Sequence, residues 1–143
     1  MTADDPGPWS TRPDFSRLTV LIVDDDTDSR ELLREVLRTC GARVVEADTI
    51  RAAKEFVTNL KFDLIVTDLA LPGEDGAAFL RWLRQQPRNK GGVTAAIAVT
   101  AYHDRFPPGQ LSGWAAYFQK PVDIEEFVRT IADILNIPGR PAT

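Results

Sequence analysis

Short apolar runs alternate with amphipathic stretches from one end of the chain to the other. Residues 18–23, LTVLIV, form a β-branched apolar run that stops on Asp24, Asp25 and Asp26. A run that is continuously apolar but too short for a helix predicts a strand covered on both faces, as in a parallel sheet. Leu32, Leu33, Val36 and Leu37 then recur at helical spacing while Arg30, Glu31, Arg34, Glu35 and Arg38 take the other face, and Gly41 stands where a C-terminal cap would. RVVE at 43–46 predicts a second strand. Thr49 is placed to cap a helix whose apolar face is Ile50, Ala53, Phe56, Val57 and Leu60. A third strand over 63–67 runs into Asp68 and a loop with Pro72, Gly73 and Gly76; Asp75 is a candidate cap for a helix burying Ala77, Phe79, Leu80 and Leu83. AAIAV at 95–99 and AAYF at 115–118 complete the strands. Lys120-Pro121 follows, then a helix in which Asp123 and Glu126 form a capping box ahead of Phe127, Ile131 and Ile134.

Five apolar strands alternating with helices predict a (βα)5 order, which favours a doubly wound parallel sheet with right-handed crossovers. Residues 1–17, with Pro6, Pro8 and Pro13 among polar groups and Trp9 and Phe15 as the large apolar ones, read as a flexible arm. Residues 18–136 form the folded domain and 137–143 a C-terminal tail. Between the last two strands, AYHDRFPPGQLSGW at 101–114 departs from the pattern. Pro107, Pro108, Gly109 and Gly113 oppose a helix, so the fourth helix is expected to be short, displaced or absent, with Phe106 and Trp114 as candidate contacts of an altered surface.

Composition narrows the function classes. A chain of 143 residues, 43% hydrophobic and 27% charged, supports one domain with a core of its own. Its net charge of −4 argues against a nucleic-acid surface, which needs a basic face. No apolar run reaches membrane-spanning length and residues 1–17 lack the form of a signal peptide, so the expected location is the cytoplasm. Cys40, the single cysteine, excludes an internal disulfide and reads as a small buried apolar group; His103 lies in a polar loop and reads as an ordinary exposed residue.

In a parallel α/β sheet ligands bind at the carboxyl ends of the strands. That edge collects Asp24, Asp25, Asp68, Thr100 and Lys120, scattered as they are in sequence. Carboxylates gathered at one edge repel one another unless a cation sits among them, and an all-oxygen site of few ligands suits Mg²⁺. A carboxylate also serves as a nucleophile toward phosphorus. Lys120 then supplies a positive charge for phosphoryl oxygens and Thr100 a hydroxyl donor. Taken alone, the Asp24–Asp26 run would be a solvated turn, and Asp26 is expected to cap the helix that follows.

VDDD at 23–26, TDLALPGEDG at 67–76, VTA at 99–101 and YFQKP at 117–121 resemble the receiver domain of two-component response regulators, in the right order and across residues 18–136. The resemblance implies the flavodoxin-like strand order 2-1-3-4-5 and Asp68 as the phosphoacceptor. It implies Mg²⁺ held by Asp25, Asp68 and the Ala70 backbone carbonyl, with Asp24 on a coordinated water. It further implies Thr100 and Lys120 on the phosphoryl group, Tyr117 as the aromatic that moves when Thr100 shifts, and a cis bond before Pro121. Ala70 and Tyr102 are the positions expected to tune the lifetime of the acyl phosphate.

The leading expectation is a receiver that takes its phosphoryl group from a histidine kinase or histidine phosphotransfer protein and, with no output domain visible after residue 143, acts through another protein. Its catalysis is confined to its own phosphorylation and dephosphorylation. The alternative is a phosphorylation-independent interaction module. An aspartyl-phosphate hydrolase is disfavoured because Ala70 stands where a second Asp would be needed, and nucleotide binding because neither GxxxxGK nor GxGxxG occurs.

Overall fold

The computed structural model describes residues 12–71, 74–101 and 113–138. Within them β1 (Thr19–Val23), α1 (Thr27–Thr39), β2 (Arg43–Ala47), α2 (Ile50–Asn59), β3 (Leu64–Asp68), β4 (Ala70–Leu71), β5 (Glu74–Asp75), α3 (Gly76–Arg84), β6 (Ala95–Thr100), β7 (Ala116–Gln119) and α4 (Ile124–Ile134) follow in order. Five strands form one parallel sheet in the order β2-β1-β3-β6-β7, which is the predicted doubly wound arrangement. Residues 1–11, 102–112 and 139–143, and with them Trp9, Tyr102, His103, Phe106 and most of the expected irregular fourth helix, lie outside the described residues. So does the side chain of Asp75. No helix among the described residues is long and apolar enough to cross a membrane.

The central strands are apolar on both faces because both are covered. Val20, Ile22, Leu64, Val66, Ile97 and Val99 point into a core shared with Leu33 and Leu37 of α1 and Phe127 and Ile131 of α4. Leu21, Val23, Ile65 and Ala96 point the other way, onto Ile50, Ala53 and Val57 of α2 and Phe79, Leu80 and Leu83 of α3. Two apolar layers on one sheet hold the strands in register, since a one-residue slip would swap every side chain between layers.

The helix ends follow local chemistry. Thr49 Oγ1 accepts from the Ala52 N–H at 3.1 Å, and Asp123 Oδ1 from the Glu126 N–H at 3.1 Å, as expected for caps. Helix α1 ends in a Schellman motif: Gly41 at φ 98° donates to the Arg38 carbonyl and Ala42 to that of Leu37. A side chain at Gly41 would be strained by that φ and would also crowd Ser16. Asp26 departs from expectation. It holds the cap position, but its carboxylate accepts from Ser29 Oγ at 2.7 Å instead of a helix N–H. Leu32 and Leu60, assigned to apolar faces by spacing, are about half exposed, at the edge of α1's buried stripe and past the end of α2.

The arm expected over residues 1–17 is corrected at its end. Phe15 is fully buried against the α1 side of the core, its N–H donates to the Cys40 carbonyl at 2.7 Å and its carbonyl accepts from Leu18. A lone aromatic among prolines and polar residues carries no periodicity, so the sequence offered no sign of this packing. Cys40 is buried as expected, and burial pushes its thiol pKa up, which disfavours the reactive thiolate. Truncation of Phe15 to Ala is expected to cost about 3–5 kcal/mol, the usual range for a buried aromatic. Urea denaturation of the two proteins measures it; equal midpoints would return these residues to a loose arm.

Candidate functional site

The sheet register sets the site. Val23 pairs with Thr67, Asp68 with Val99 and Thr100 with Gln119, so the residues that close β1, β3, β6 and β7 stand in a row across one edge. Backbone bonds carry the row past the strands: the Asp24 N–H donates to Ala47 and the Lys120 N–H to Thr100, both at 3.0 Å. Asp24, Asp25, Asp68 and Lys120 are brought together, and Thr100 ends the neighbouring strand on the same edge. The Lys120-Pro121 bond is cis.

Lys120 lies between two acids. Its Nζ donates to Asp24 Oδ2 at 2.7 Å and to Asp68 Oδ2 at 3.0 Å. The remaining oxygens accept from the backbone, Asp24 Oδ1 from the Asp26 N–H and Asp68 Oδ1 from the Ala70 N–H, each at 2.9 Å. Asp24 and Asp68 are buried. Burial pushes the Asp24 pKa up, more than the Lys120 ammonium and the Asp26 N–H pull it down. Burial works against the charge on Lys120 as well, but its bonds to Asp24 and Asp68 prevail and raise its pKa.

Asp25 is the exposed member of the group. Asp24, Asp25 and Asp68 each offer one carboxylate oxygen, all within 4.8 Å of one another. Hard oxygen donors at that separation fit a small divalent cation such as Mg²⁺, which binds through few carboxylates and keeps waters of its own. Ala70, whose carbonyl the resemblance assigns to the metal, sits beside them at the start of a short β4-β5 pairing, where the sequence predicts a loop.

Thr100 is fully buried at the end of β6, and Tyr117 is partly buried on β7. Tyr117 pairs with Ala98, two residues before Thr100, so the two-residue period places Tyr117 and Thr100 on the same face of the sheet.

Two features escaped the sequence reading. A Cβ on Gly76 would stand 2.8 Å from the Asp68 carbonyl oxygen and 3.0 Å from Leu69 Cα. Helix α3 therefore begins against the backbone of the central acid, with the Gly76 N–H donating to the Leu69 carbonyl at 3.0 Å, and only glycine leaves room. Arg30, read as part of the solvated face of α1, donates instead to the Asp24 backbone carbonyl at 2.8 Å and to Glu46 on β2. A cationic residue one turn into a helix behind an acid run was the available signal for the second.

Comparison with known proteins agrees with this geometry. The chain is 37% identical over 120 residues to an uncharacterized 14.6 kDa protein from the sodA1 3′ region of Leptolyngbya boryana, covering 82% of this chain and 89% of that protein. It is 30% identical to the response regulator protein PilR of Pseudomonas aeruginosa over 86% of this chain, spanning 27% of PilR. Among solved structures, a putative response regulator from Chloroflexus aurantiacus superposes with a TM-score of 0.72 at 33% identity, over 83% of this chain and 98% of that one. The receiver domain of the sensor histidine kinase PA1611 from P. aeruginosa, solved with a magnesium ion coordinated in its active site cleft, superposes at 0.74 with 27% identity, over 83% and 98%. The response regulator receiver domain family is matched over residues 20–132, from β1 nearly to the end of α4, and the chain belongs to that family.

Proposed function

We propose that the chain is a cytoplasmic phosphoryl-accepting switch in which Asp68 is the phosphoacceptor and a phosphohistidine of a histidine kinase or histidine phosphotransfer protein is the donor. The observation that carries this reading is the setting of Asp68 at the carboxyl end of β3, with Lys120 Nζ 3.0 Å from one oxygen and the Ala70 N–H 2.9 Å from the other. A carboxylate so held is fixed in direction at the end of its strand.

In the proposed reaction an Asp68 carboxylate oxygen attacks phosphorus as the P–N bond to the donor imidazole breaks, and the imidazole leaves with the electron pair and takes up a proton. The product is an acyl phosphate on Asp68. Asp25 and Asp68, with the Ala70 carbonyl, would hold Mg²⁺, and Asp24 would hold it through a water. When bound, Mg²⁺ supplies charge neutralisation for the phosphoryl oxygens. Lys120 then neutralises part of the charge on the transferred group, and the Thr100 hydroxyl donates to another of its oxygens. For Thr100 to do so it must shift toward the phosphoryl group, and Tyr117, on the same face, is the aromatic that follows it. A partner protein reads that displacement on the β6-β7 side of the sheet.

Incubation with acetyl phosphate and Mg²⁺ is expected to add one phosphoryl group, seen by intact mass, that Asp68→Asn removes. An adduct that persists in Asp68→Asn would overturn the assignment, and no adduct on the parent protein would favour a phosphorylation-independent interaction module.

Charge repulsion among the three acids gives a second expectation. In EDTA, Asp25→Ala should unfold about 3 °C higher than the parent, because it removes one of the mutually repelling charges. Adding Mg²⁺ should then raise the parent's midpoint and leave the variant's in place. Scanning calorimetry in the two buffers checks this, and an equal Mg²⁺ response in both proteins would exclude Asp25 as a ligand.

A further inference from the structure

The cation site proposed above needs Asp25, yet Asp25 is the acid that the protein restrains least directly. Asp24 and Asp68 each have one oxygen on Lys120 and the other on a backbone N–H. Among the described residues no hydrogen bond reaches the Asp25 carboxylate, which is exposed. Its direction is therefore set by its own backbone, and in particular by the peptide plane that joins it to Asp24.

That plane is pinned. Arg30, in the first turns of α1, donates from one terminal nitrogen to the Asp24 carbonyl at 2.8 Å, and this carbonyl belongs to the Asp24–Asp25 peptide. Its Nε donates to Glu46 Oε1 at 3.3 Å, and the other Glu46 oxygen accepts from Arg34 at 3.0 Å. The Arg30 backbone N–H also donates to the Asp26 carbonyl at 3.0 Å. Arg30 thus spans the acid turn from strand end to helix, with its head held by β2. A guanidinium makes such a contact because separate nitrogens of one rigid plane donate at a fixed separation, whereas an ammonium donates from a single atom.

We propose that Arg30 is a positioning residue for the divalent cation, fixing the Asp24–Asp25 peptide so that Asp25 faces Asp68, and that Glu46 holds Arg30 in that pose. The inference rests on the cation reading of the preceding subsection. It makes an unusual demand of sign. Removing a positive charge near an anionic site tightens cation binding by simple electrostatics. If Arg30 positions Asp25, its removal must weaken binding instead. Arg34 carries the same charge, shares Glu46 and makes no contact with the Asp24 carbonyl, so it controls for the electrostatic effect.

The test is a Mn²⁺ titration of the full chain followed by electron paramagnetic resonance, with no phosphoryl donor present. The parent, Arg30→Gln, Arg34→Gln and Asp25→Ala are compared, and thermal melts in EDTA confirm that each is folded. Arg30→Gln is expected to bind Mn²⁺ about tenfold more weakly than the parent, the low end for loss of an outer partner of a metal ligand, while Arg34→Gln stays within about twofold or binds more tightly. Affinity within about twofold in Arg30→Gln, or an equal loss in Arg34→Gln, would overturn the proposal. Should Arg30→Gln not fold, Arg30→Lys takes its place under the same criterion, since lysine lacks the rigid fork whose separate nitrogens reach the carbonyl and Glu46. If the parent binds no Mn²⁺, or Asp25→Ala binds it as tightly as the parent, the cation site itself fails and the role of Arg30 with it. Parent binding that Asp25→Ala abolishes and Arg30→Gln preserves would overturn the role of Arg30 alone.

Discussion

One ammonium shared by two buried carboxylates is the contact on which the arrangement of this edge depends. Lys120 Nζ bonds Asp24 and Asp68 at 2.7 and 3.0 Å, and these three residues come from the ends of three different strands. Such a pair is weak evidence for stability, because desolvating the charges offsets most of their attraction. Its consequence is geometric. Breaking either contact would leave a buried carboxylate without its cation, so the ends of β1, β3 and β7 are held to one separation. The balance is incomplete even so: Asp25 adds a further negative charge within 4.8 Å, and Lys120 has no charge left to meet it. An edge that is geometrically tight and electrostatically unsatisfied is suited to receive a cation and a phosphoryl group.

The rest of the fold brings that edge about. Parallel pairing puts every strand's carboxyl end on the same side, and covered faces allow the strands to be apolar until the acid or hydroxyl that ends them. Close packing then sets the backbone around each functional group. Gly76 lets α3 start in contact with the Asp68 carbonyl, and the Ala70 N–H turns back onto the Asp68 side chain. The short β4-β5 pairing holds the ends of the intervening loop together at Ala70 and Asp75. These are constraints on main chain, made by small residues.

Fold and site were legible in the sequence to different depths for definable reasons. Strands such as LTVLIV announce themselves because both faces are buried, and Asp68, Thr100 and Lys120 were found because each ends such a run. Gly41 and Thr49 signal helix ends through bonds to neighbours a few residues away. What stayed hidden depends on contacts distant in the chain or on packing without period. Phe15 reaches its place through Cys40, Arg30 is drawn to Glu46, and the tight approach of Gly76 to Asp68 looks in sequence like any loop glycine. Leu32 and Leu60 erred in the opposite sense, because helical spacing assigns a face about 100° wide and does not say where its edge falls.

The contrast between Asp24 and Asp25 shows how one turn produces two unlike acids. Asp24 continues the strand, its N–H still paired to Ala47, so its side chain is carried inward to Lys120 and burial raises its pKa. Asp25 follows by one peptide and is exposed, though one of its carboxylate oxygens stays within 4.8 Å of those of Asp24 and Asp68. Between them lies a single peptide plane whose carbonyl is the acceptor for Arg30. Were that carbonyl free to rotate toward water, Asp24 would still be held by its own two bonds, but Asp25 would lose its direction. The turn therefore needs an outside donor at the point where strand geometry stops and helix geometry has yet to begin. The residue that fills the need comes from α1, the helix that Asp26 opens, so the segment that ends the strand and the segment that starts the helix stabilise one another across the two acids.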